Sequence, residues 1–169
     1  MLGFLFRTLT ADPARGADLF AAATKEAREP HWYVEGNVAD TLDGRFAMLT
    51  TIMALILVRL EQEGEQGNAP SVALTERFIE VMESEHRELG IGDPTLGKKV
   101  RKLVGSLARR TEIWREAVAG HRSWDEAVRE SVYNGQAAEG LEHTIAALRK
   151  VWRRLEQSSA AAIAEGRFE

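Results

Sequence analysis

Apolar residues recur every three or four positions through most of this chain, which is the spacing of one face of an α-helix. In residues 46–58, 11 of 13 residues are apolar, and an arginine stands on each side of the run. The run is too short to cross a bilayer, which takes about 20 apolar residues. We therefore predict a central buried helix over about residues 41–63, with Asp40 or Thr41 as its N-cap.

The segments around this central helix predict five more helices. Four of them cover about residues 13–28, 71–89, 94–119 and 137–162, and a short one follows Ser123 as its N-cap and stops at Asn134-Gly135. The polar stretch 61–70 carries glycines and a proline, so we predict a loop there. No segment favours a strand, and the chain is predicted to be all-α, a single helical bundle of about six helices.

Two of the predicted helices carry a clear apolar stripe. The stripe of helix 71–89 is formed by Leu74, Phe78, Val81 and Met82, and that of helix 94–119 by Leu96, Val100, Leu103, Leu107 and Trp114. Residues at this spacing share one helix face. We expect both stripes to face the core.

Composition fits one domain over residues 1–169, with 44% hydrophobic residues and no cysteine. The missing thiols exclude disulfides, cysteine catalysis and cysteine-ligated metals. Residues 1–10 lack the pattern of a secretory signal, and we interpret them as packed onto their own domain, with a flexible or a membrane-surface segment as the alternatives. The expected location is the cytoplasm, with peripheral attachment to the inner face of the cytoplasmic membrane left open.

Charge is distributed unevenly between the two halves of the chain. Residues 1–92 hold 8 Lys/Arg against 15 Asp/Glu, and residues 93–169 hold 14 against 11. No acid occurs from Lys98 to Arg110, a stretch with six cations. This run is either an ordinary solvated helix face or a surface that binds RNA, acidic lipid or protein, and we take its candidate partner-binding residues as Lys98, Lys99, Arg101 and Lys102.

Catalytic and metal-binding motifs are missing from the sequence. The four histidines stand in no known motif. The segment Glu83-Ser-Glu-His86 groups two carboxylates and an imidazole, but the sequence shows no further ligands at the spacing of a metal site. The glycines and lysine of 90–99 depart from the phosphate-loop pattern. We predict no catalytic residue, no metal and no cofactor.

A second candidate surface lies between the first two predicted helices. Trp32 and Tyr33 stand in a loop, where aromatic side chains either grip an apolar partner or plug the end of a helical bundle. Asp43 and Arg45 follow, and we expect them to pair locally or to cap the central helix. All four residues are candidate partner-binding residues.

Three fragments of the sequence together resemble the ubiquinol-cytochrome c chaperone family of alphaproteobacteria and mitochondria. They are Trp32-Tyr-Val-Glu-Gly36, Val38-x-Asp-Thr-Leu-Asp-Gly-Arg-Phe-x-Met-Leu49, and Arg87-Glu-Leu-Gly-Ile-Gly-Asp93 running into Gly97-Lys-Lys-Val-Arg-Lys102. The resemblance covers about residues 30–135. It implies an all-helical, non-enzymatic assembly factor for respiratory complex III. In mitochondria such a factor acts with a small partner protein at the ribosomal exit and receives newly made cytochrome b.

An alternative function stays open from the residues alone. His31 or His86 could lie beside a pocket between helices, as in a binder of haem or quinone. The sequence offers no paired axial ligand for it. An enzyme is the third possibility, and no motif identifies a reaction.

Overall fold

The computed structural model describes residues 16–90 and 92–168. In these ranges the chain forms α-helices and one short 3₁₀ helix, Pro30–Trp32, and no strand. The α-helices are α1 Ala17–Ala27, α2 Leu42–Gln62, α3 Glu65–Glu88, α4 Asp93–Val118, α5 Trp124–Val132, α6 Leu141–Glu156 and α7 Ala160–Ala164. The predicted all-α bundle is confirmed, and seven helices stand where we predicted about six.

Helix α2 is the centre of the bundle, as predicted. Every residue from Thr50 to Leu60 is buried, and α2 packs against α1, α3, α4, α5 and α6. The helix begins as the sequence predicts, because the Thr41 hydroxyl accepts a hydrogen bond from the Gly44 amide at 3.1 Å. The first residues of α2 stay at the surface while its middle forms the core.

Helix α3 begins earlier than predicted, and the predicted loop over 61–70 is wrong. Only residues 63 and 64 separate α2 from α3, and Gly64 turns the chain with a φ of 60°. Gly67 then lies so close to α2 that a Cβ there would stand 1.8 Å from the Leu60 carbonyl oxygen. This tertiary contact outweighs the weak helix propensity of the polar, glycine-bearing sequence. The predicted apolar face is confirmed, with Leu74, Phe78 and Met82 buried and Val81 partly buried.

Helix α4 matches its prediction to within one residue at each end. Leu96, Val100, Leu107 and Trp114 are buried and Leu103 is partly buried. The neighbouring short helix α5 is capped as predicted, because Ser123 Oγ accepts from the Glu126 amide at 3.1 Å. The buried stripe of α4 fixes which of its residues face outward.

The predicted single helix over 137–162 is wrong, because the chain breaks between α6 and α7. The buried Arg59 side chain donates to the carbonyls of Leu155 at 3.0 Å and Ser158 at 3.1 Å. Carbonyls at a helix end need such donors, so Arg59 stabilises the end of α6. Ser159 then caps α7 by accepting from the Ala162 amide at 3.2 Å.

The predicted start of the first helix near Pro13 and the segment 1–10 lie outside the described residues. Within them, α1 begins at Ala17, after Gly16 with a φ of 76°. None of the helices in 16–90 and 92–168 has the length and apolarity to span a membrane.

Candidate partner-binding surfaces

The segment between α1 and α2 is anchored by Trp32. Its side chain is 0% exposed, and its indole N–H donates to the Glu26 carbonyl at 2.8 Å. A side chain with no exposed surface does not contact a partner. The prediction of Trp32 as part of a grip is therefore wrong, and the alternative, a plug at the end of the bundle, describes it.

Tyr33 is half-buried, and its hydroxyl donates to the Ala27 carbonyl at 2.7 Å. Burial is the main cause that raises the pKa of Tyr33 above its usual value. The hydrogen bond ties the ring to the end of α1, and the rest of the ring lines a surface cleft. Tyr33 thus belongs partly to the fold and partly to a surface.

Backbone contacts fix the loop that follows Tyr33. The Gly36 amide donates to the His31 carbonyl at 2.8 Å, and the Val38 amide donates to the Trp32 carbonyl at 3.1 Å. The hydroxyl of Tyr133, which directly follows α5, donates to the Gly36 carbonyl and lies 2.7 Å from Thr144 Oγ1. The loop is therefore held by contacts with its own turn and with the α5–α6 region.

A cleft of about 340 Å³ opens on the outer side of this loop. It is lined by Arg28, Pro30, Tyr33, Val34, Asp40 and Arg45. Val34 is 73% exposed, and Leu42, on the same side of α2 as Arg45 and one turn before it, is 84% exposed. We call Val34 and Leu42 the apolar rim.

Arg45 pairs with Asp40, and not with Asp43 as one prediction had it. Arg45 Nε lies 2.7 Å from Asp40 Oδ1, and this hydrogen bond is the main cause that lowers the pKa of Asp40. Asp43 is exposed in the first turn of α2, where a negative charge complements the helix dipole. It lines a second cleft of about 280 Å³, together with Tyr133 and Asn134 among others. The structure therefore brings Tyr33 and Arg45 together and places Asp43 at a separate cleft.

Two histidines meet beside the buried indole, a pair that the sequence analysis missed. His31 Nδ1 lies 3.0 Å from His143 Nε2, although the residues are 112 positions apart. Burial first, and the charge of His143 second, lower the pKa of His31. No spacing rule links a loop residue to a residue on α6, so only the tertiary structure reveals this pair.

The histidines proposed for a prosthetic group each have a partner already. His86 Nδ1 lies 2.7 Å from the Met82 carbonyl oxygen within α3, and His31 contacts His143. A cleft of about 390 Å³ next to His31 is lined by Glu26, Glu29 and Arg154 among others, and Arg154 is ion-paired with Glu26 at 2.8 Å. In the described part of the chain, no three His, Asp or Glu side chains form a group that could hold a metal ion.

The second candidate surface is the basic ridge, which we define as Lys98, Lys99, Arg101 and Lys102. All four side chains are exposed on α4, because the buried Leu96 and Val100 turn the opposite face of the helix inward. None of the four forms an ion pair with another described residue. Their charge is therefore open to a partner.

Arg109 and Arg110, the cations that follow the ridge, contact another helix of the same chain. Arg109 pairs with Glu130 of α5 at 3.4 Å, and Arg110 Nε donates to the Ser131 carbonyl at 3.0 Å. Burial lowers the pKa of Arg110. These two arginines join α4 to α5, although the Arg109 side chain stays 72% exposed. The ridge therefore holds the cations of this run that form no ion pair with a described residue.

The family model for ubiquinol-cytochrome C chaperone matches residues 34–169. The chain belongs to the ubiquinol-cytochrome c chaperone family. A solved structure described as the Cbp3 homolog from Brucella abortus is similar, with a TM-score of 0.77, 25% sequence identity, and coverage of 98% of this chain and 94% of that chain. A comparison with curated proteins gives no significant match.

Family membership confirms the predicted resemblance and extends it to the end of the chain. The match includes the apolar rim, Arg45 and the basic ridge, while Trp32 and Tyr33 precede it. The family gives this chain a chaperone role.

Proposed function

We propose that this protein is a non-enzymatic assembly factor that holds newly made cytochrome b during the assembly of respiratory complex III. The observation that carries the proposal is the family match over residues 34–169. A ubiquinol-cytochrome c reductase needs a membrane-embedded cytochrome subunit, and such a subunit exposes apolar surface before it meets its partners. A helical protein with an open apolar rim suits that client.

The apolar rim is the part of the surface that we assign to the client. Val34 lines the 340 Å³ cleft together with Asp40 and Arg45, and the exposed Leu42 lies on α2 one turn before Arg45. Burying one such aliphatic side chain contributes about 1.5–3 kcal/mol. Two of them give weak binding, which suits a chaperone that must release its client.

The charged pair at the cleft, Arg45 and Asp40, can select which client segment binds at the apolar rim. The guanidinium of Arg45 and the carboxylate of Asp40 lie at the surface beside the half-buried ring of Tyr33. Polar groups around an apolar contact select among partners more than they add affinity. We assign Tyr33 and Arg45 to client selection, and we expect any small partner protein to use a different surface.

A deletion and complementation experiment tests the client. In a respiring native host, loss of the gene should lower cytochrome b and complex III activity. The variant Val34→Asp/Leu42→Asp should fail to restore them, while Val72→Asp should restore them, because Val72 is also exposed, at 50%, but lies on α3 away from the rim sequence. Unchanged cytochrome b in the deletion strain would mean that the client is another protein.

A binder of haem or quinone is the second candidate, and one observation favours it. The 390 Å³ cleft lies beside His31, whose ring nitrogen would become available if the contact with His143 opened. Titration of the purified protein with haem tests it. A Soret shift that disappears in His31→Ala would support a haem binder, and an unchanged spectrum would remove haem as the ligand.

A further inference from the structure

We propose that the basic ridge docks this protein on the surface of a lipid bilayer that carries anionic headgroups. The ridge places four cations within five residues of α4, all exposed and none ion-paired with a described residue. Lysine and arginine side chains near a negatively charged leaflet are attracted to it, and the attraction adds up over neighbouring cations. The charge of the ridge is thus complementary to such a surface.

An exposed leucine stands at the same end of the α3–α4 hairpin. Leu89 is 74% exposed directly after α3, and α4 begins at Asp93. The ridge starts five residues later, which is about 7.5 Å along the helix. An apolar side chain next to cations matches the boundary between headgroups and acyl chains, where peripheral proteins combine both interactions.

The residues of the ridge favour lipid over RNA. Single-stranded nucleic acids are bound by combining cations with aromatic side chains on which bases stack. No Phe, Trp or Tyr occurs from Val81 to Ile113. Three of the four ridge cations are lysines, which act as point charges and lack the planar, bidentate geometry of arginine.

The acids at the end of α3 limit how the protein can approach the bilayer. Glu85 and Glu88 are exposed on α3, close in sequence to Leu89. A leaflet that attracts α4 repels these carboxylates, so α4 must lie nearer to the membrane than α3. We therefore expect weak and reversible docking, sensitive to salt.

The choice of a bilayer rests in part on the proposed function, because cytochrome b is made and inserted at a membrane. The docking test needs no client, however. A failure of docking would leave the cytochrome b experiment intact, and failure of that experiment would leave the vesicle measurement intact.

Vesicle flotation with the full chain tests the docking. Vesicles of phosphatidylcholine alone are compared with vesicles that also contain phosphatidylglycerol. The protein should float with the anionic vesicles, and Lys98→Glu/Arg101→Glu should lower the vesicle partition coefficient by at least about 25-fold, since each cation near the surface contributes about a fivefold factor and reversal adds repulsion. Leu89→Ser should cause a smaller loss.

The matched control is Lys150→Glu/Arg153→Glu on α6. This pair has the same residue types, the same spacing, the same change in net charge and exposed side chains. It should bind anionic vesicles as the unchanged protein does. Equal losses in both variants would mean that net charge alone drives binding, and equal binding to both kinds of vesicle would mean that the ridge is not the contact; either result overturns the proposal. Ridge-dependent binding to a polyuridine RNA, without vesicle binding, would make the ridge an RNA surface instead.

Discussion

The segment 30–46 and the basic ridge are both parts of the sequence that resemble the family, and the fold uses them in different ways. In segment 30–46 most polar groups have internal partners: the Trp32 indole donates to Glu26, the Thr41 hydroxyl caps α2, and Arg45 pairs with Asp40. Besides several exposed polar side chains such as Asp43, the apolar rim stays open to solvent. In the ridge, the four cations stay exposed and form no ion pair with a described residue.

This difference separates residues that build the fold from residues that are available for binding. A residue with full burial and an internal hydrogen-bond partner is explained by stability alone. An exposed aliphatic side chain or an unpaired cation contributes little to folding, so it is available to a partner. Within segment 30–46, the distinction moves the candidate grip from Trp32 to Val34 and Leu42.

The largest effect is expected when Trp32 is removed from the core. Trp32→Ala should destabilise the protein by about 3–5 kcal/mol, because it leaves a large cavity and removes the hydrogen bond from the indole to the Glu26 carbonyl. Unfolding in urea followed by circular dichroism measures the change. Val34→Ala, two residues later, should change stability by less than about 0.5 kcal/mol, because that side chain is exposed. Equal losses of stability in the two variants would contradict the assignment of Trp32 to the core and of Val34 to the surface.

A smaller but still large effect is expected at a close backbone approach. A Cβ at Gly44 would stand 1.8 Å from the Ala39 carbonyl oxygen, so Gly44→Ala should shift the loop and cost about 3 kcal/mol. The control is Gly97→Ala in α4, next to the ridge, where nothing lies within 4 Å of the added methyl group. That variant should be stabilised by up to about 1 kcal/mol, because alanine is the better helix former. Thermal unfolding of both variants compares the two regions directly.

Several features of the fold could be predicted from the sequence, because they depend on local interactions. The buried centre of α2, the Thr41 and Ser123 caps and the stripe of α4 all follow from periodicity and capping chemistry. These features depend on residues within a few positions of one another.

The features that the sequence could not give depend on contacts between distant segments. Gly67 lies against the Leu60 backbone at the polar start of α3, and Arg59 donates to the last carbonyls of α6 from almost a hundred residues away. Arg109 and Arg110 are cations like the residues of the ridge, yet Arg109 pairs with Glu130 and Arg110 donates to the Ser131 carbonyl, both on α5. Which cation faces a neighbouring helix depends on the packing of α4 and α5, and no one-dimensional pattern contains that information.

A moderate, pH-dependent effect on stability is expected from the contact between His31 and His143. The pKa of His31 is lowered in the folded protein, so its neutral form is favoured there. The stabilisation is complete above the unfolded pKa of about 6.5 and is lost as the pH falls through the lowered folded value. Urea midpoints measured on both sides of that window should fall more in the unchanged protein than in His143→Gln, which lacks the second imidazole.

A proton NMR titration gives a direct measure of the same pair. His31 should titrate below its ordinary value, and in His143→Gln its pKa should move upward because the repulsive charge is gone. A His31 pKa that stays the same in the variant would mean that the two rings do not interact in solution.

The smallest effect on stability is expected from the most drastic change of charge. Reversal of the whole ridge, Lys98→Glu/Lys99→Glu/Arg101→Glu/Lys102→Glu, should change the free energy of unfolding by less than about 1 kcal/mol, because repulsion among four cations is exchanged for similar repulsion among four carboxylates. The control in the same helix is Arg110→Met, which removes the hydrogen bond to the Ser131 carbonyl and should cost about 1–2 kcal/mol. One neutralised arginine should therefore destabilise the protein more than four reversed charges. The opposite order would mean that the ridge holds the bundle together, and the reason for assigning it to a partner would be lost.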